Sequence, residues 1–353
     1  DEELSVFSSE EVPEFNDAPD EAMAAAENEQ AGEIDLADND KVINGVYTIR
    51  SAGDHKFTCS RETGNRIVVD VEGISPEDSI NIYLNKVNIN TSTGPALRIN
   101  INVKATVTIY LTGTNSLITK NNYYAGLQKD NKAQLIIKTN DSDATAGILN
   151  ARSIDGDGAG IGGGYYGTGS CSNIIIDSCS VIASSKYGAG IGGSKQHAGS
   201  DITIKSSSVT ASSTDGAGIG GGGYGGSGSD ITINGGSVKA SSVSGSPTNG
   251  GKEVYCCTIE NPENANVTIK TGTGSRVWDW KPVNHSSLDP DDTNLYVWLP
   301  KLESNSTNSY LIILDPENSS ESRTRNYSFD TVTNTFKAAQ AVNDFIFKSP
   351  VNL

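Results

Sequence analysis

The chain has 353 residues, of which 35% are apolar and 20% are charged, and its formal net charge is −17 at pH 7. No apolar run approaches the ~18 residues that a membrane-spanning helix needs, and no basic surface for phosphates is visible, so we expect no membrane insertion and no nucleic-acid partner. The five cysteines are too scattered for a disulfide framework and lack zinc-binding spacing.

Residues 1–41 are predicted to form an acidic leader. The first 40 residues contain 15 Asp and Glu and no Lys or Arg. This composition is typical of a poorly ordered, solvated linker, with a metal-binding or partner-binding tail as the alternative. A chain that starts at Asp1 without Met also looks like a form from which a signal peptide was removed, so we expect a secreted or cell-surface protein.

Short segments with alternating apolar residues follow the leader. The clearest are Ile80-Asn81-Ile82, Ala96-Leu97-Arg98-Ile99, Val107-Thr108-Ile109 and Leu135-Ile136-Ile137. Alternation of this kind predicts strands, because a strand sends successive side chains to opposite faces.

A hexapeptide, Gly-Ala-Gly-Ile-Gly-Gly, occurs three times, beginning at Gly158, Gly188 and Gly216. Each copy leads into an Ile-rich strand and then into a second short strand, which gives a unit of 28 to 30 residues between residues 158 and 241. Self-similarity at this period is typical of a solenoid. Tyr124-Ala125-Gly126-Leu127 resembles an eroded copy of the hexapeptide.

Each hexapeptide also satisfies the G-x-G-x-x-G pattern of a dinucleotide-binding turn. That turn needs a helix to open at its third glycine, whereas glycine-rich segments such as 222–226 follow here. The pattern therefore predicts corners of a solenoid and no nucleotide cofactor.

Stacked coils should place equivalent residues in columns about 4.8 Å apart. Two apolar columns are predicted, one of Ile161, Ile191 and Ile219 and one of Val181, Val209 and Val238. We expect the solenoid to span residues 42–274, with Val267-Thr268-Ile269 as its last clear strand.

Residues 275–353 have less glycine and contain Trp278, Trp280 and Trp298 among alternating strands. They are predicted to form a small antiparallel β cap on the last coil, in which the tryptophans cover the end of the apolar column. A separate sugar-binding module, with the tryptophans as a stacking platform, is the alternative.

The hexapeptides, the Ile-Thr-Ile strands after them and Leu111-Thr112-Gly113-Thr114-Asn115-Ser116-Leu117 resemble repeats in secreted right-handed parallel β-helix proteins of anaerobic bacteria. The resemblance implies an all-β fold, a right-handed parallel β-helix like that of pectate lyases. Proteins of this group are often described as carbohydrate-binding or surface proteins, which implies polysaccharides or host cell-surface glycans as partners.

The loops that follow the hexapeptides carry aromatic and amide side chains. We predict that coil stacking aligns Tyr165, Tyr166, Gln196, His197 and Tyr224 into a glycan-binding strip, because sugars stack on rings and bond to amides. The alternative is that the tyrosines only cover glycine-rich backbone.

Metal binding is a weak alternative. Asp201 and Asp230 should stack on neighbouring coils with Asn173, and the segment 225–233 approximates one copy of a calcium-binding nonapeptide. Calcium-binding rolls use tandem copies, so a solvated carboxylate column is expected and no metal is assigned.

Catalysis is the main rival to binding. The resemblance includes hydrolases and lyases that act on acidic polysaccharides. Neither the paired aspartates of the polygalacturonases nor the arginine-containing constellation of the lyases is recognisable here. We therefore expect a non-catalytic adhesin-like or glycan-binding protein, with the enzyme and an inert structural stalk as alternatives.

Overall fold

The computed structural model describes residues 32–142, 146–165, 169–261, 264–280, 292–301, 309–315, 321–338 and 345–347. Within these ranges every regular element is a β-strand. The chain winds through three parallel ladders of strands, and one circuit through them is called a coil below. The predicted parallel β-helix is confirmed.

The first ladder comprises β1 (Ile34–Asp35), β3 (Gly53–Thr58), β5 (Ser79–Asn85), β8 (Thr106–Thr112), β11 (Leu135–Thr139), β14 (Ile174–Asp177), β17 (Gly199–Ser213) and β19 (Gly228–Ala240). The second ladder comprises β6 (Asn88–Thr91), β9 (Thr114–Thr119), β12 (Ile148–Ser153), β15 (Ser180–Ser185) and the second halves of β17 and β19. The third ladder comprises β2 (Val46–Ile49), β4 (Arg66–Val69), β7 (Leu97–Ile99), β10 (Leu127–Lys129), β13 (Ile161–Gly162), β16 (Ile191–Gly192) and β18 (Ile219–Gly220).

The two predicted apolar columns are present and in register. Ile161 pairs with Ile191 and Ile191 with Ile219, while Val181, Val209 and Val238 pair in the same way. All six side chains are buried. Leu97 and Leu127 extend the isoleucine column into earlier coils, so the segment 124–127 occupies the place of a hexapeptide.

The solenoid begins earlier than predicted. Ile34 and Leu36 are buried, and β1 pairs in parallel with β3 through Ile34 and Phe57. The boundary of the acidic leader at residue 41 is therefore wrong, because two apolar residues within an acidic run are enough to add a strand to an existing ladder. Residues 1–31 lie outside the described part of the chain.

Parallel pairing also ends earlier than predicted. It ends at β20 (Thr248–Asn249), and β21 (Lys252–Glu260) runs antiparallel to β20 and to β24 (Asn294–Pro300). Val267, Thr268 and Ile269 lie in β22 (Asn266–Thr271), whose partners are antiparallel. Their prediction as a solenoid strand is wrong, since alternating apolar residues do not distinguish parallel from antiparallel neighbours.

The C-terminal region is an antiparallel structure with its own apolar core. Besides β21, β22 and β24 it contains β23 (Arg276–Trp280), β25 (Ser309–Asp315), β26 (Glu321–Asp330), β27 (Thr335–Ala338) and β28 (Phe345–Phe347). The side chains of Ile259, Ile269 and Val297 are at its centre.

This region docks on the last coil, as expected for a cap. The Trp298 Nε1 group donates a hydrogen bond to the Val238 carbonyl at 2.9 Å, and the Tyr296 amide donates to Ser237 Oγ at 3.0 Å. Trp298 also packs against the solenoid core. Trp278 is buried within the cap, so its ring is not open to a sugar, and Trp298 is half-buried.

An ion pair between Lys239 and Asp292 adds to this docking and predicts a pH dependence. Burial acts to raise the pKa of Asp292, but hydrogen bonds from Lys239, the Asn294 amide and Tyr296 outweigh it and lower the pKa to about 2. A carboxyl group with a lowered folded pKa stabilises the fold above its unfolded pKa, and this contribution disappears as the pH falls through the folded value.

We therefore expect Asp292→Asn to be less stable than the parent protein at pH 7, with the difference shrinking between pH values of about 4 and about 2. Urea unfolding of both proteins at a series of pH values measures it. A difference that stays constant down to pH 2 would show that the carboxylate charge does not contribute.

The solenoid interior also holds a polar cluster around Gln128, Lys129 and Asp130, all buried. The Lys129 ammonium donates to the carbonyls of Asn131 and Ser172, both at 2.8 Å, and burial lowers its pKa. Asp130 accepts hydrogen bonds from Gln128 Nε2 at 2.7 Å and from Arg98 Nε at 3.1 Å. These bonds offset part of the desolvation of the cluster, and burial still raises the pKa of Asp130.

All five cysteines are free. Cys171 and Cys179 are buried, and burial raises the pKa of their thiols to about 11 and about 12. They pack as small apolar side chains, and neither thiol is a reactive thiolate at neutral pH.

Candidate functional site

The hexapeptide glycines make the turns from which the candidate loops leave the third ladder. Gly162, Gly192 and Gly220 have φ values of +136°, +137° and +121°. A Cβ atom on Gly162 would lie 2.0 Å from the Gly192 carbonyl oxygen, and one on Gly192 would lie 2.0 Å from that of Gly220. Only glycine fits there, because neighbouring coils touch through their backbones.

The loops stack on one another through the same backbone hydrogen bond in each coil. The amides of Tyr165, Lys195 and Gly223 donate to the carbonyls of Tyr123, Asp157 and Tyr187, at 2.7, 2.8 and 2.8 Å. Each donor comes two residues after a hexapeptide, and each acceptor directly precedes the hexapeptide, or its eroded form, of the previous coil. The loops therefore keep the same spacing as the strands.

This regularity creates two adjacent lines of side chains beside the third ladder. The residues directly before the four hexapeptide positions alternate between a ring and a carboxylate: Tyr123, Asp157, Tyr187 and Asp215. The loops after the hexapeptides add Tyr165, Lys195 and Tyr224. These seven residues are called the tyrosine strip.

The rings of the strip lie close to one another. The centroids of Tyr123 and Tyr165 are 6.3 Å apart, and those of Tyr187 and Tyr224 are 6.2 Å apart. Tyr224 is 63% exposed and Tyr123 is 40% exposed, and they are the two tyrosines among the exposed large apolar side chains of the described chain. The strip therefore presents aromatic surface to solvent.

Lys195 occupies the middle of the strip. Its ammonium lies 5.1 Å from the ring centroid of Tyr187, 5.2 Å from that of Tyr224 and 6.0 Å from that of Tyr165. It also forms an ion pair with Asp157 at 3.3 Å. Cation–π attraction and the carboxylate hold the lysine, which in turn keeps rings of three coils together.

A second ion pair borders the strip. Lys186 lies 3.7 Å from Asp155 and 5.0 Å from the Tyr187 ring centroid. Tyr224 donates a hydrogen bond to the exposed carboxylate of Asp215 at 3.4 Å. The two lysines are thus matched by two carboxylates, and Asp215 leaves this surface with one excess negative charge.

Of the predicted site residues, Tyr165, Gln196, His197 and Tyr224 lie in neighbouring loops, and Tyr166 lies outside the described residues. The His197 ring packs edge-on to Tyr165 at 6.3 Å and against Gly169, and its Nδ1 lies 2.8 Å from the Lys195 carbonyl, which makes Nδ1 the donor. The exposed Gln196 donates its backbone amide to Gly223. Binding by these residues stays a prediction.

The predicted glycan-binding strip did not include Tyr123, Asp157, Tyr187 and Lys195. Tyr123, Asp157 and Tyr187 lie before a hexapeptide position, whereas every residue of the predicted strip comes from a loop after one. The residue directly before each hexapeptide carries an equally regular signal, because a turn brings both flanks of the hexapeptide to one side of the ladder.

Asp201 and Asp230 occupy a corner of the solenoid with Asn173. The φ values of the three residues are +50°, +53° and +62°, a region that Asn and Asp enter more readily than other side chains. Both aspartates are exposed. Within the described ranges, no group of three or more His, Cys, Asp or Glu side chains is placed to hold a metal ion. The positive φ gives a structural reason for Asn or Asp at this corner.

Comparison of the chain with known protein families agrees with the β-helix fold. A family model described as a beta helix repeat matches residues 202–223 and 231–250, which cover most of β17 to β20. The chain is therefore a parallel β-helix protein with recognisable beta helix repeats in its last coils. No curated protein and no solved structure matches the chain significantly. In the described part of the chain, no helix is long and apolar enough to cross a membrane.

Proposed function

We propose that this is a secreted or cell-surface protein that binds saccharides through the tyrosine strip without transforming them. The observation that carries the proposal is the alternation of rings and carboxylates on successive coils. A ring gives a sugar an apolar face to stack on, and a carboxylate beside it accepts hydrogen bonds from hydroxyl groups. This repeated pairing suits a chain of sugar units better than a single small molecule.

The charges of the strip favour a neutral or amine-bearing saccharide over an acidic one. Lys195 and Lys186 are each paired with an aspartate, so neither is an uncompensated cation for a uronate. Asp215 would repel a polyanion and attract an ammonium group. A lyase or hydrolase acting on acidic polysaccharide is correspondingly disfavoured.

The test compares retention of the parent protein and variants on a panel of immobilised neutral, amino and acidic polysaccharides. We expect Tyr165→Ala with Tyr224→Ala to weaken binding at least about tenfold, because two stacking contacts are each worth about 1 kcal/mol. The matched control is Tyr165→Phe with Tyr224→Phe, which keeps both rings and should retain most of the affinity.

Unchanged retention of the double alanine variant on every bound glycan would contradict the strip as a binding surface. The same samples are assayed for new reducing ends and for unsaturated products, with and without calcium. Product above a heat-inactivated control would contradict the non-catalytic part of the proposal. If neither glycan retention nor product is detected, a structural stalk is favoured.

A further inference from the structure

A groove of about 320 Å³ lies on the outer face of the first ladder, near the N-terminal end of the solenoid. Its volume falls within the range of ligand sites. The side chains relevant to binding are those of Glu33, Lys56, Tyr83, Asn85, Thr112 and Asn140.

Strand register builds the floor of this groove. Lys56, Tyr83, Tyr110 and Lys138 are successive partners in one outward-facing column. The Tyr83 and Tyr110 rings stack with centroids 4.7 Å apart and planes 11° apart, and the Lys56 ammonium lies 5.8 Å from the Tyr83 centroid. Tyr110 and Lys56 therefore cover the two faces of the Tyr83 ring and hold it in place. Its hydroxyl edge is the part that a ligand can contact.

Asn85 and Thr112 are partners in the next column, and their polar groups are oriented by neighbours. Asn85 Nδ2 donates to Glu33 Oε1 at 2.9 Å, and Asn140 Nδ2 donates to Thr112 Oγ1 at 3.3 Å. An amide can make up to four hydrogen bonds, so one fixed bond sets its orientation and leaves further capacity. The groove thus presents pre-oriented donors and acceptors.

The chemistry of the groove differs from that of the tyrosine strip. It offers amides, hydroxyls, a phenol edge and one ammonium, together with the carboxylates of Glu33 and Asp54. Such a lining fits the hydroxyl edge of a neutral polyol and disfavours a polyanion.

The groove and the strip also lie on different sides of the solenoid. The groove is on the first ladder and reaches the corner between the first and second ladders, at Asn85, Thr112 and Asn140. The strip flanks the third ladder, which is the side opposite that corner in a coil of three ladders. One ligand chain cannot easily reach both.

We propose that the groove is a second, hydrogen-bonding site for a neutral saccharide, so that one molecule bridges two polysaccharide chains. This rests on the proposed saccharide binding by the strip. Two sites on opposite faces give cross-linking, in which the gain in avidity comes from geometry and not from additional contacts at either site.

The groove variant is Lys56→Ala with Asn85→Ala, and its matched control is Lys205→Ala, which removes a lysine from the same outward column beyond the groove. Titration calorimetry uses a soluble oligosaccharide of the polymer that the parent protein retains best. We expect about two ligands per parent protein, and about one for either the groove variant or the double tyrosine variant. Beads coated with the polymer should clump with the parent and the Lys205→Ala protein only.

An unchanged stoichiometry for the groove variant would contradict the groove as a binding site. Loss of all binding in the double tyrosine variant would contradict it too, because the strip would then be the sole site. Loss of all binding in the groove variant, with the tyrosine variant unchanged, would support the groove and overturn the strip. A parent protein that binds no saccharide overturns both.

Discussion

Replacement of Gly192 by alanine is expected to destabilise the protein by about 3 kcal/mol or more, because two costs add. A φ of +137° is strained for any residue with a side chain, and the new Cβ would lie 2.0 Å from the Gly220 carbonyl oxygen. The obstacle is backbone of the next coil, so relief would require the coils to separate. Urea unfolding measures the loss.

Gly64→Ala is the matched control, because a Cβ at Gly64 would meet nothing closer than the Asn90 carbonyl oxygen at 4.0 Å and no positive φ is involved. It should be neutral or more stable by up to about 1 kcal/mol. If Gly192→Ala were as stable as Gly64→Ala, the close backbone contact between coils would not be a constraint on the fold.

Replacement of Phe57 by alanine is expected to cost about 3 to 5 kcal/mol, the usual range for an aromatic residue removed from a core. Phe57 is fully buried, packs edge-on against Tyr47 with centroids 5.1 Å apart, and pairs with Ile34 of the first strand. The loss combines lost apolar burial with a cavity in the first coil. Thermal and urea unfolding report it.

Phe57→Leu keeps most of the volume and should cost only about 1.5 kcal/mol. Val332→Ala, at a side chain that is 90% exposed, should change stability by less than about 0.5 kcal/mol. A Phe57→Ala protein as stable as the Val332→Ala protein would mean that the first coil does not contribute to the cooperative fold.

The fold was largely predictable because repetition reveals register. Equivalent residues of the three hexapeptides meet in adjacent coils, so aligning the sequence with itself also aligns the strands. The ends were less predictable. Ile34 and Leu36 stand alone in an acidic run, and Val267 and Ile269 have the same alternation as a solenoid strand, so only their neighbours in space decide their role.

The candidate site was only partly predictable. Tyr165 and Tyr224 could be found from the loops after the hexapeptides, whereas the place of Lys195 between three rings depends on side-chain directions that spacing does not give. The buried cluster of Gln128, Lys129 and Asp130 could not be anticipated at all. A run of three polar residues normally indicates a surface loop, and here hydrogen bonds within the cluster and to nearby carbonyls allow its burial.

Because the loops stack in register, the length of the tyrosine strip depends on the number of coils. One repeat unit of 28 to 30 residues contributes one strip residue before the hexapeptide and one after it. Inserting a further unit would preserve the parallel pairing of its neighbours and lengthen the face by about 4.8 Å, one inter-strand distance. If the strip binds saccharides as proposed, the number of sugar units that it covers scales with the number of coils, while the preference at each position is set by two side chains that can vary independently of the core.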